Sequence, residues 1–157
     1  MCTAFSTWQR PHCAKSSYPA EMHRAYTQAC LHIEFVAEFY REQVRGCRYF
    51  LHEHPRFASS WELECMKQLE SLPQVGIVRA DQCQYGAEAQ RGPQKGQPVK
   101  KPTGFMSNSC ELLKALSRRC AGQGNRCSRP GGGGHATCSG MCAKTQRFTP
   151  ANYAVQF

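Results

Sequence analysis

The sequence predicts an α/β fold: an incomplete, mostly parallel sheet with helices packed on it, followed by an irregular Cys/Gly-rich C-terminal tail. Two observations predict it. Segments with the three-and-four-residue apolar spacing of amphipathic helices alternate with short apolar runs of strand length, in the order helix, strand, helix, strand, strand, helix. After Ala121 both patterns stop and Gly, Arg, Cys and Ser take over, including the run Gly131 to Gly134. The expected division is a partial α/β domain over residues 1–120 and an irregular tail over 121–157.

Taken in order, residues 1–18 lack periodicity and read as loop. Ser17 ahead of Pro19, with Glu21 close behind, suits a helix start. From there Met22, Tyr26, Cys30, Ile33, Val36, Tyr40 and Val44 form one apolar stripe, and Gly46 is placed to end the helix. Arg48 to Leu51 is short and aromatic, with polar residues and Pro55 after it, which predicts a buried strand running into a loop. Ser59 and Ser60 are placed to cap a second helix, whose face of Leu63, Met66, Leu69 and Leu72 stops at Pro73. Val75, Ile77 and Val78 predict a strand ending near Asp81. Residues 87–102, rich in Gln, Gly, Pro and Lys, predict an exposed loop. Thr103 to Met106 predicts a third strand, and Asn108 or Ser109 caps a third helix carrying Leu112, Leu113 and Leu116. A complete doubly wound sheet would need a first β-α-β unit with a Gly-rich turn, and none is visible.

A chain of 157 residues holds one domain at most. Apolar content of 41% with 20% charged residues suits a globular core, and a mean hydropathy of −0.57 keeps that core modest. The net charge of +9 favours polyanions as partners, nucleic acid first and acidic membrane surfaces second. No dense basic tract interleaves with aromatics, so the same charge also suits a merely soluble basic protein. Eleven cysteines, an odd number scattered through helical and stranded segments without a signal peptide, read as thiols in a reducing compartment. An intracellular location, nuclear or cytoplasmic, is expected. No run approaches the length of a transmembrane helix, so no membrane partner is expected.

Four blocks carry the chemical signal: Met1-Cys2-Thr3-Ala4-Phe5-Ser6, then Tyr49-Phe50-Leu51-His52-Glu53-His54-Pro55, then Asp81-Gln82-Cys83-Gln84-Tyr85-Gly86, then Lys101-Pro102-Thr103-Gly104-Phe105-Met106-Ser107-Asn108. In this order they resemble the catalytic half of DNA cytosine-5 methyltransferases, most nearly the divergent methyltransferase-like segments of retroelement polyproteins. The resemblance runs from Cys2 to about Cys120 and implies that the sheet is an incomplete Rossmann-like one. It also implies methyl transfer from S-adenosylmethionine to a cytosine flipped out of a duplex. Cys2 would supply the thiolate that adds to the ring, and Glu53 the acid that hydrogen-bonds the pyrimidine edge. Met1 stands where the family has Pro, and His54-Pro55 replaces its Asn-Val. Gln90-Arg91 echoes the family's buttressing Gln and paired Arg, but the second Arg is missing and no role is assigned. The donor-binding half would lie upstream of Met1, so the expectation is a truncated, inactive relative that binds no cofactor by itself. The plain alternatives are a terminal thiol for Cys2 and, for Glu53, a solvated strand-end carboxylate or a helix cap.

Metal ligation is weighed at two places. On a strand, His52 and His54 share one face and Glu53 takes the other, and two ligands make no site. Among Cys120, Cys127, His135, Cys138 and Cys142, four could enclose zinc tetrahedrally, but paired Cys-x-x-Cys spacing is absent. No metal site is assigned, and an unliganded Cys-containing tail is the competing reading. The Gly run has neither a following Lys-Ser or Lys-Thr nor a strand before it, which argues against a phosphate loop. Two other function classes stay open: a non-enzymatic basic module that binds nucleic acid, and a zinc-binding interaction protein.

Overall fold

The computed structural model describes residues 3–5 and 20–137. Helix α1, Ala20–Arg45, follows its predicted stripe: Ala29, Ile33 and Ala37 are buried, with Tyr26, Cys30, Tyr40 and Val44 packed beside them. Its end falls where expected, but the left-handed residue is Cys47, at φ 53°, rather than Gly46. Strand β1, Leu51–Pro55, follows, then a 3-10 turn at Ser59–Glu62 and helix α2 at Glu64–Glu70. Strand β2 is Gly76–Asp81, a second 3-10 turn is Gln82–Tyr85, strand β3 is Pro102–Ser107, and helix α3 is Cys110–Ala115. Ser109 caps α3 by accepting a hydrogen bond from the Leu112 amide at 3.3 Å. Ser59 and Ser60 cap nothing in α2, whose N-cap is Leu63; Ser60 is buried against His54 instead.

The sheet corrects the predicted fold class. Its strand order is β1-β3-β2, and both outer strands run antiparallel to β3. The expected mostly parallel, Rossmann-like sheet is therefore absent, and the fold is a small antiparallel sheet with helices. Strands β1 and β2 do run in the same direction across α2, as a β-α-β unit would, but they are not neighbours. Strand β3 comes back from the loop over 86–101 and takes the place between them, where it serves both ladders and buries Thr103 through Ser107. The alternation of element types in a sequence records their order and leaves pairing open.

Register assigns the two faces. Rows His52–Met106–Ile77 and His54–Gly104–Arg79 share one face. There Met106 joins the main core with Phe5, Ile33, Phe50, Met66 and Leu69. Row Glu53–Phe105–Val78 lies on the other face, where Phe105 packs with Ala80, Tyr85 and Leu116.

Strand β1 starts later than predicted, because His52 to Pro55 looks polar in sequence and is stranded in the fold. The two histidines are buried as neutral rings: His52 sits edge-on to Trp61 at 5.3 Å and to Tyr40 at 5.7 Å between ring centroids. Burial, reinforced by the neighbouring His54, pulls the His52 pKa down to about 4. Pro55 is tolerated because β1 is an edge strand. At the sheet's centre Gly104 leaves room for Trp61; a Cβ there would stand 2.8 Å from the indole Cζ2.

The loop over 86–101 is not wholly exposed as predicted. It doubles back through a bridge between Glu88 and Pro98, and it buries Ala89 and Val99 against Ala136. Among the described residues no helix is long and apolar enough to cross a membrane.

Candidate metal centre

Residues 117–137 contain neither helix nor strand, yet they are anchored. Cys120 donates its amide to Asp81 Oδ2 at 2.8 Å, Ala136 donates to the Pro98 carbonyl at 2.8 Å, and Arg129 pairs with Glu88. An irregular segment pays chain entropy without a helix or strand in return, so something local must hold it.

Cys83, in the 3-10 turn that closes β2, meets Cys120, Cys127 and His135 from this segment. All four ligand atoms lie within 4.8 Å of one another. A tetrahedral zinc with Zn–S of about 2.3 Å and Zn–N of about 2.0 Å has edges of roughly 3.5–3.8 Å, so closing the cluster shortens its separations by at most about 1.3 Å. One edge is already there: Cys120 Sγ stands 3.5 Å from His135 Nε2. Cys83, Cys120 and His135 are buried and Cys127 is half-buried, which leaves no open coordination position of the catalytic kind.

The surroundings orient the ligands. His135 Nδ1 lies 3.0 Å from the Asn125 carbonyl oxygen, which only an N–H can satisfy, so Nε2 is the nitrogen turned toward the thiols. The carbonyl reaches it because Asn125 adopts φ 64°, a left-handed conformation that Asn tolerates. Cys120 Sγ accepts from the Ser128 amide at 3.4 Å and the Ser128 hydroxyl at 3.6 Å, while Gln84 Nε2 donates to Cys127 Sγ at 3.5 Å. Burial alone would raise the Cys120 pKa, but the Ser128 and Gly122 donors and Cys83 outweigh it and bring it down to about 6. Cys83 moves the other way, to about 12, through burial first and the neighbouring sulfurs second. Gly122 is required by packing, since a Cβ there would collide with the Arg126 carbonyl.

The sequence-predicted residues divide sharply. Cys120, Cys127 and His135 come together; Cys138 and Cys142 lie outside the described residues. Sequence reasoning missed Cys83, which stands far upstream with no Cys-x-x-Cys partner. The available signal was its position just past a strand end, in the block Asp81 to Gly86.

Of the two residues assigned to methyl transfer, Cys2 lies outside the described residues. Glu53 is 3.7 Å from Lys101 Nζ and accepts from Gln82 Nε2 at 3.4 Å, with its side chain 44% exposed. Phe5, three residues after Cys2, packs edge-on to His54 at 5.9 Å, on the sheet face opposite Glu53. His52 and His54 bond to Tyr40 and Ser60 through Nδ1 and join no ligand cluster among the described residues.

No protein-family model, curated protein or solved structure matches this chain.

Proposed function

We propose that this chain is a zinc-stabilised, non-catalytic module in which Cys83, Cys120, Cys127 and His135 hold one zinc ion. The observation that carries this reading is the convergence of three thiols and an oriented imidazole, drawn from two distant stretches of chain. Three thiolates and one imidazole in a closed tetrahedron suit zinc, which accepts soft ligands and imposes no other geometry. With four protein ligands there is no position for an activated water, so the ion's work is structural: it fastens the segment over 117–137 to the end of β2.

The resemblance to cytosine-5 methyltransferases gains no support from an antiparallel sheet, nor from Glu53 held by Lys101 and Gln82. It is not carried further. The zinc reading is tested by elemental analysis of the purified chain. About one zinc per chain is expected, lost in Cys83→Ser and retained in a Cys138→Ser, Cys142→Ser double variant. Protein purified without zinc, or zinc retained by Cys83→Ser and lost from the double variant, overturns it.

A further inference from the structure

A cleft of about 520 Å³ opens beside β2. Three arginines line it, each from a different part of the fold: Arg56 just after β1, Arg79 on β2 and Arg119 on the segment after α3. Trp61 and Gly104 supply an apolar wall, and Glu70 is the one carboxylate lining it.

Arginines on a surface ordinarily find carboxylates. Among the described residues none of these three does; the ion pairs found there lie on α1, at Glu53 and at Glu88. Arg56 instead lies over the Phe57 ring at 5.0 Å from its centroid. The cleft therefore concentrates three positive charges against one negative, in a chain whose net charge is +9. Low-dielectric walls strengthen such a field toward an anion.

The backbone also fixes the site. Arg79 shares its row with Gly104 and His54, and the missing side chain at Gly104 is what leaves the row open for Trp61. Trp61 is held by its indole N–H, which donates to the Pro55 carbonyl at 2.9 Å. Arg119 is fixed from both sides: the Asp81 amide donates to the Arg118 carbonyl at 3.0 Å, and the Cys120 amide donates to Asp81 Oδ2.

We propose that this cleft binds single-stranded nucleic acid, with Arg56, Arg79 and Arg119 on its phosphates and the Trp61 wall against a base. Guanidinium forks match phosphate oxygens, and an aromatic wall beside them suits the flat apolar body of an unpaired base. A duplex hides its bases and would use the arginines alone. Arg56, Arg79 and Trp61 lie on the sheet and its connections, whereas Arg119 adjoins Cys120, so its place in the cleft rests on the anchoring of that segment to Asp81.

The test uses the purified full chain and fluorescein-labelled single strands on the order of ten nucleotides long, followed by anisotropy between about 50 and 200 mM salt. The triple variant Arg56→Ala, Arg79→Ala, Arg119→Ala is expected to bind about tenfold more weakly or worse, with a log–log salt slope shallower by about 2. Glu70→Gln, which removes the opposing charge, is expected to bind about 2–5-fold more tightly. In a Trp8→Phe background, where Trp61 is the one remaining indole, the strand is expected to quench its fluorescence. Three results would overturn the proposal: no binding of single strands (whether or not adenosine monophosphate binds at the cleft), unchanged affinity and slope in the triple variant, or equal affinity for a duplex of the same sequence.

Discussion

His135 Nε2 stands 3.5 Å from Cys120 Sγ, while the opposite ring nitrogen is taken by the Asn125 carbonyl. That pairing orients a loop histidine: one nitrogen is engaged by the backbone, so the other is turned toward the sulfur. Two residues that no local spacing links are thereby brought into one cluster.

Chelation should therefore act on the fold, beyond removing an ion. A strong chelator is expected to lower the melting temperature of the chain by on the order of 10 °C, with near-complete recovery when zinc is restored. Cys120→Ser should show the lowered melting temperature without any chelator, whereas Cys47→Ser, at an exposed position, should melt like the parent. An unchanged melting temperature on chelation of a zinc-loaded sample would show that the ion carries no structural load.

Asp81 Oδ2 accepts the Cys120 amide at 2.8 Å and so positions a proposed ligand without joining the cluster itself. Asp81→Ala is expected to weaken zinc affinity by about tenfold while leaving the stoichiometry at one. Competition with a chromogenic chelator measures this; wild-type affinity in the variant would remove Asp81 from the description.

Acid should weaken the fold through His52. Its pKa falls from 6.5 in the unfolded chain to about 4 in the fold, so the unfolded state takes up the proton first. Stability is unaffected above about pH 6.5, falls between about 6.5 and 4, and levels off below, for a total of roughly 2–4 kcal/mol. Burial also lowers the His54 pKa, which adds in the same direction. Acid also strips zinc from thiolates, so the informative quantity is the difference between the parent and His52→Phe, measured by urea unfolding across this range. Among the described residues His52 Nε2 is buried without a hydrogen-bond partner, which Phe dispenses with. A difference that does not vary with pH would refute the neutral, buried imidazole.

Gly104→Ala is expected to cost about 1–3 kcal/mol, because its Cβ would stand 2.8 Å from Trp61 and the indole would have to move. A change in Trp61 fluorescence in the Trp8→Phe background should accompany the loss. Unaltered stability with an unmoved indole would contradict the packing described at the sheet centre.

By itself the sequence determined the elements that local chemistry dictates. The stripe of α1 needs only a 3.6-residue period, Ser109 caps α3 through an amide three residues on, and the strand reading of Val75 to Asp81 follows from its β-branched run and Pro73 before it. Once His52 to Pro55 is known to be stranded, period two puts His52 and His54 on one face, but their stranding was not legible in a polar segment. Tertiary structure decided the rest. Periodicity cannot state which strand pairs with which, and the insertion of β3 between β1 and β2 turned an expected parallel sheet into an antiparallel one. Likewise Cys83 and His135 look like unrelated residues until the turn after β2 and the last described loop meet, because a metal centre is defined by convergence in space and chain spacing is a poor proxy for it.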